Sequence, residues 1–195
     1  MLFRSVSIGH SAADRASADA GYDAGATSTT HLFNAMTGIE HRSPGVAVAA
    51  LDRDDVWVEL IADGHHVDPS IWPIVQRTKP VDRLLLVSDA LSIAGSDARR
   101  IVTGGQEIEV VDGRCTIVGT DTIAGSVICL DESVRNLVAH GSTLPAAIAA
   151  ASRNPLEMVG VGDRGRLAVG QLADIVVLDE ALDVRRVIRA GVGIV

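Results

Sequence analysis

An α/β fold built on a parallel sheet is predicted by two features of the chain. Four short runs rich in Val, Ile, Leu and Thr occupy the first half, at 3–8, 26–33, 56–62 and 83–87. They are near-continuously apolar rather than alternating, which is the pattern of strands buried on both faces. Helix-like stretches lie between them, and repeated strand–helix alternation is the signature of βαβ units.

Each element has a local reason. The first run closes on Gly9-His10-Ser11, and an Ala-rich helix over 11–24 follows, with Ser11 as its cap and Gly25 as its stop. The second run leads into the polar group His31 through Asn34, and the third into Asp63 through His66. A helix over 69–78 is expected next, with Asp68 capping and Pro69 at the first helical position. The fourth run ends at Ser88-Asp89. Residues 100–117 then alternate in polarity, and Asp112-Gly113 marks the turn of a β-hairpin. A loop over 119–126 precedes helices at 131–140 and 144–153, the latter backed by Asn154-Pro155. Strand candidates at 173–178 and 184–188 make the tail a small β structure beside the main domain.

The composition narrows the function classes. At 195 residues the chain suits one large domain, or one domain with a small appendage. The 47% hydrophobic content and 22% charged residues argue against disorder. A net charge of −8 opposes general nucleic-acid binding, which needs clustered Lys and Arg, and 3% aromatic residues leave little for base stacking. Two cysteines, Cys115 and Cys129, are too few for a disulfide framework or a four-thiolate metal site. No apolar run approaches the roughly 18 residues of a membrane helix. Met1-Leu2-Phe3-Arg4-Ser5 lacks a signal-peptide pattern, so a cytoplasmic, membrane-free protein is expected.

Polar residues gather where strands of a parallel sheet would end, and such folds carry their sites there. His10, His31 and His66 stand at three successive strand ends and Asp89 at the fourth. A single strand-end histidine more often bonds a backbone carbonyl than a metal. Three with a carboxylate at four successive ends reverse that balance, because imidazoles and a carboxylate converging from neighbouring strands form a catalytic metal site. Asp89 either orients or deprotonates water there, or serves as a turn residue. Asn34 offers an amide and a carbonyl to a ligand. Arg42, near Pro44-Gly45, is suited to bidentate binding of phosphate or carboxylate, although a solvated surface Arg is the commoner meaning of such a residue. The 119–126 loop could bring backbone amides toward a ligand but lacks a nucleotide-binding fingerprint. His41 and His140 read as surface residues.

The residues also carry a resemblance. Gly9-His10-Ser11, Thr30-His31-Leu32-Phe33-Asn34-Ala35-Met36, Arg42-Ser43-Pro44-Gly45, Ala62-Asp63-Gly64-His65-His66, Val87-Ser88-Asp89-Ala90 and Ile123-Ala124-Gly125-Ser126 are motifs of this kind. With them the chain resembles the N-acetylglucosamine-6-phosphate deacetylases of the amidohydrolase superfamily. The tail from Gly165 to Asp179 is similar to a pattern shared more broadly by amidohydrolases. The run from His31 to Met36, with Arg42 at matching spacing, is the part specific to the deacetylases.

The resemblance covers essentially the whole chain but only the family's C-terminal part. It implies strands five to eight of a TIM-type (β/α)8 barrel over 1–158, with the hairpin near 100–117 inserted. Residues 159–195 would be the C-terminal part of a small β-sandwich domain. It implies hydrolysis of the acetamide of N-acetylglucosamine 6-phosphate, giving glucosamine 6-phosphate and acetate, in amino-sugar catabolism. His10 and His31 would bind a divalent metal, zinc first, with iron or another ion as alternatives. Asp89 would activate the water and then protonate the leaving amine. Asn34, Ala35, Arg42 and His66 would contact the phosphosugar, and Ala124 and Gly125 would line the pocket. A homodimer is implied for full-length members. Those members supply a further carboxylate ligand and a further histidine from earlier strands, so a truncated form is expected here. A different amidohydrolase (cyclic amidase or deaminase type) and an inactive half-barrel fragment are the alternatives.

Overall fold

The computed structural model describes residues 5–193, so Phe3 and Arg4 of the first predicted run lie outside the described residues. Four short strands form one sheet: β1 (Ser7–Ile8), β2 (Ser28–Thr29), β3 (Trp57–Leu60) and β4 (Leu84–Leu86). They lie side by side in chain order, and every neighbouring pair is parallel. The four predicted runs supply these strands, each longer than the strand it yields. The chain is therefore α/β, as expected.

The helices α1 (Arg15–Asp23), α2 (Val46–Asp52) and α3 (Trp72–Thr78) connect the strands. Their inner faces, with Val58, Leu60, Leu84 and Leu86 of the sheet, build the main apolar core around Tyr22, Leu51, Trp72 and Val75. Two caps differ from expectation. Asp14, not Ser11, caps α1, its carboxylate accepting from Ser17 N at 2.8 Å. Asp68 instead closes a turn by accepting from Ser70 N, and α3 starts later, after Ile71. Nothing in the sequence reading anticipated α2. It has no side-chain cap and consists almost wholly of small buried residues behind Pro44-Gly45, so its helix is set by packing rather than by local signals.

Residues 100–117 form a three-stranded antiparallel meander rather than a simple hairpin: β5 (Arg100–Thr103), β6 (Gln106–Val111) and β7 (Arg114–Ile117). Asp112-Gly113 makes the expected turn. A second reversal at Gly104-Gly105, both with positive φ, adds the extra strand. Helices α4 (Leu130–Ala139), α5 (Leu144–Ala151) and α6 (Arg153–Met158) follow. The last predicted helix thus breaks at Ser152 and resumes as α6. Within α6, Asn154 is fully buried and donates from Nδ2 to Val81 O and Leu84 O at 2.9 and 2.8 Å, tying the helix to the start of β4. The tail forms an antiparallel sheet of β8 (Ile175–Leu178), β9 (Val184–Arg189) and a short β10 (Val192–Gly193).

Candidate active site

At the carboxyl ends of the parallel strands the backbone turns sharply. His10, His31 and Asp89, at the ends of β1, β2 and β4, all have positive φ, at 47°, 31° and 49°. Phe33 and Ala35 do as well. Left-handed conformation costs a residue with a Cβ about 1–2 kcal/mol, and such strain clusters at functional sites. No sequence signal marks it, because none of these residues is glycine.

His10 and His31 are brought together. Their Nε2 atoms lie 2.9 Å apart, and the rings meet edge to face at 76°. The approach requires Gly9, since a Cβ there would sit 2.9 Å from Thr30 Cβ. His31 is buried and its Nδ1 has no hydrogen-bond partner, whereas His10 is exposed. Asn34 braces the same turn, with Nδ2 donating to His31 O and Leu32 O, both at 3.1 Å. The amide nitrogen that could have served a ligand is thus engaged in the loop.

Glu59, near the end of β3, carries no functional mark in the sequence. Its Oε2 accepts from His31 N at 3.2 Å. Burial pushes its carboxyl above the usual range, while the His31 contacts oppose the shift and the nearby Asp89 charge adds to it. Asp63 reads in the sequence only as the start of a polar cluster. It accepts from His66 Nδ1 at 2.7 Å and from the backbone N–H of His65 and His66, both at 2.9 Å. Burial works to raise the Asp63 carboxyl, but these hydrogen bonds prevail and hold it below its ordinary value. An ionised carboxylate only accepts, so His66 Nδ1 carries a proton and its Nε2 is left for another partner.

Asp89 is exposed at the end of β4. Its carbonyl accepts from Ser126 N at 2.9 Å, and Ala90 pairs with Ser126 in a parallel bridge. Gly125 packs so closely that a Cβ would lie 3.0 Å from Asp89 O. Ala124 packs against the small apolar cluster of Ile108, Val110 and Cys115 in the meander. Arg42 and Ala35 are exposed, and Arg42 makes no ion pair among the described residues. A shallow cleft of about 340 Å³ beside His66 is walled by Phe33, Ile39, Val67, Ile71 and Ile74. A larger apolar cleft, about 600 Å³, lies between α4, α5 and the tail sheet, and none of the strand-end residues line it.

Among the described residues no group of three or more His, Cys, Asp or Glu side chains is arranged to hold a cation. The His10–His31 pair nevertheless fits two ligand positions. Imidazoles bonded to tetrahedral zinc at about 2.0–2.1 Å place their nitrogens roughly 3.3–3.4 Å apart, so the observed 2.9 Å needs the rings to part by only about half an ångström to take up an ion. No helix among the described residues is long and apolar enough to cross a membrane.

The chain belongs to the amidohydrolase family, whose model matches residues 5–192. Relatives that match over nearly the whole chain include deacetylases of amino-sugar phosphates. N-acetylglucosamine-6-phosphate deacetylase of Danio rerio is 40% identical over 194 residues, covering 95% of this chain and 48% of that protein. N-acetylgalactosamine-6-phosphate deacetylase of Escherichia coli O157:H7 is 39% identical over 184 residues, covering 93% and 48%. Among solved structures, a variant of the Mycobacterium smegmatis N-acetyl-D-glucosamine-6-phosphate deacetylase, in complex with N-acetyl-D-glucosamine-6-phosphate, superposes with a TM-score of 0.93 at 40% identity. That match covers 97% of this chain and 51% of the other. The Pasteurella multocida N-acetylglucosamine-6-phosphate deacetylase gives 0.93 at 33% identity, with 97% and 50% covered. The chain thus spans about half the length of these relatives.

Proposed function

We propose that the chain is the C-terminal half of a metal-dependent deacetylase that hydrolyses the acetamide of N-acetylglucosamine 6-phosphate. On this reading residues 1–158 are strands five to eight of a (β/α)8 barrel with the meander inserted. Residues 159–195 belong to a small β-sandwich. The observation that carries the proposal is the meeting of His10 and His31 at adjacent strand ends, Nε2 to Nε2 at 2.9 Å, in a chain about 40% identical to deacetylases across its length.

His10 and His31 would hold the cation through Nε2, and the remaining ligand would come from the part of the relatives this chain does not span. Zinc suits imidazole ligands, and iron or another divalent ion is an alternative. When bound, such an ion supplies Lewis-acid chemistry, polarising the amide carbonyl and acidifying water. Asp89 takes the proton from the attacking water and delivers it to the amine nitrogen as the C–N bond breaks, releasing acetate and glucosamine 6-phosphate. His66, held by Asp63, presents Nε2 to the sugar. Arg42, with no ion pair among the described residues, is free to bind the phosphate. Asn34 and Ala35 contact the phosphosugar through their loop, and Ala124 and Gly125 wall the pocket beside Asp89. A homodimer and a cytoplasmic location complete the reading, the latter supported by the free thiols of Cys115 and Cys129.

The test is acetate release from N-acetylglucosamine 6-phosphate with added Zn²⁺. It is run with and without a polypeptide carrying the region of the relatives that this chain lacks. N-acetylgalactosamine 6-phosphate and unphosphorylated N-acetylglucosamine are run in parallel. Turnover requiring the phosphate is expected. A reconstituted sample that binds metal yet releases no acetate from either phosphosugar would overturn the proposal.

A further inference from the structure

We infer that Glu59 is a positioning residue, holding the turn after β2 so that the His31 ring meets that of His10; its link to metal binding rests on the ligand reading above. Glu59 is the only ionisable residue within β1 to β4. Its neighbours Val58 and Leu60 belong to the core packed under the helices. Side chains alternate along a strand, so Glu59 stands on the opposite face, beside its register partner Leu85. A half-buried carboxyl within a strand is costly unless something requires it. Glu59 has no Lys or Arg partner among the described residues.

What it does hold is the His31 turn, by two grips from one residue. Its side-chain Oε2 accepts from His31 N at 3.2 Å, and its backbone O accepts from Leu32 N at 2.7 Å. His31 sits in the left-handed region at φ 31°, a conformation that persists only where its surroundings over-determine it. Asn34 Nδ2 restrains the carbonyl side of the turn. Glu59 restrains the amide side. Without its Oε2 the His31 N–H loses its acceptor, and the ring loses the backbone setting that aims it at His10.

The test compares the full chain with Glu59→Gln, Glu59→Leu and Glu59→Ala. The first readout needs no metal: ¹⁵N NMR of the imidazoles, which reports the Nε2–Nε2 pairing of His10 and His31. The second is Co²⁺ affinity from its visible absorption, with thermal unfolding monitored throughout. Glu59→Gln keeps an acceptor and should preserve the pairing, with Co²⁺ affinity within about threefold of wild type. Glu59→Leu should lose the pairing and weaken Co²⁺ by about 10–100-fold, while still unfolding cooperatively. Glu59→Ala carries the same comparison if the Leu variant fails to fold. Persistence of the pairing in the Leu and Ala variants overturns the inference, as does its loss in the Gln variant. If the pairing follows the expected pattern but no form binds Co²⁺, the positioning role stands and the ligand reading fails.

Discussion

His66 donates from Nδ1 to Asp63 Oδ2 at 2.7 Å, and both side chains are almost wholly buried. The carboxylate accepts from three donors, which fixes the ring's tautomer as well as its direction. Asp63→Asn should destabilise the chain by about 2 kcal/mol at neutral pH, since hydrogen bonds to a charged buried group are lost. The Asp63 carboxyl lies below its ordinary value of 3.8 when folded. Its contribution is therefore complete above the unfolded value and fades as pH falls through the lower folded one. Urea melts of the two proteins should differ at pH 7, and the difference should shrink as the pH falls below 3.8.

Asp89→Asn removes the proposed base while keeping the shape of the side chain. In a reconstituted active form, kcat should fall by about 10²–10⁴-fold, with metal binding retained. Steady-state acetate release alongside metal analysis checks this. Undiminished turnover would assign the base elsewhere.

Gly125→Ala meets two obstacles, a φ of +72° and a Cβ 3.0 Å from Asp89 O and from Leu91. Gly119→Ala shares the positive φ but meets nothing within 4 Å. Gly125→Ala should therefore cost about 1–3 kcal/mol more than Gly119→Ala, because only it also overpacks. Thermal melts of both variants separate strain from crowding.

Lys79 is buried beneath α2, donating from Nζ to Ala50 O at 3.0 Å and also to Arg53 O. Burial lowers its pKa from 10.5 to about 8. Between those values the folded chain has released a proton that the unfolded chain still binds, so stability should rise with pH across that window. Lys79→Met should lack the rise, by roughly 1–3 kcal/mol at the upper end. Chemical denaturation from pH 7 to 10.5 measures the difference.

The parallel sheet was legible because buried strands write themselves as unbroken apolar runs, and their ends as abrupt polar clusters. The same punctuation sets His10, His31, His66 and Asp89 at the ends of those runs. What the sequence does not display depends on distance across the chain. Glu59 looks like an ordinary break in a strand's apolar pattern until the register sets it beside the His31 turn. Asp63 reads as a turn residue until His66 folds back on it. Asn154 looks like a helix terminator beside Pro155, whereas in the fold it fastens α6 to β4 from about 70 residues away. The left-handed histidines carry no compositional trace at all.

The meander reaches both neighbouring strand-end loops. A Cβ on Gly113, at its turn, would lie 3.3 Å from His65 Nε2. From β7 the chain continues through the Thr116–Ile123 bridge and the hydrogen bond from Ala124 N to Cys115 O, then to the Ala90–Ser126 bridge beside Asp89. The insertion thereby acts as a brace between the His66 side of the mouth and the Asp89 side. Both loops are therefore anchored to one three-stranded sheet, so their separation is set by the length of its strands.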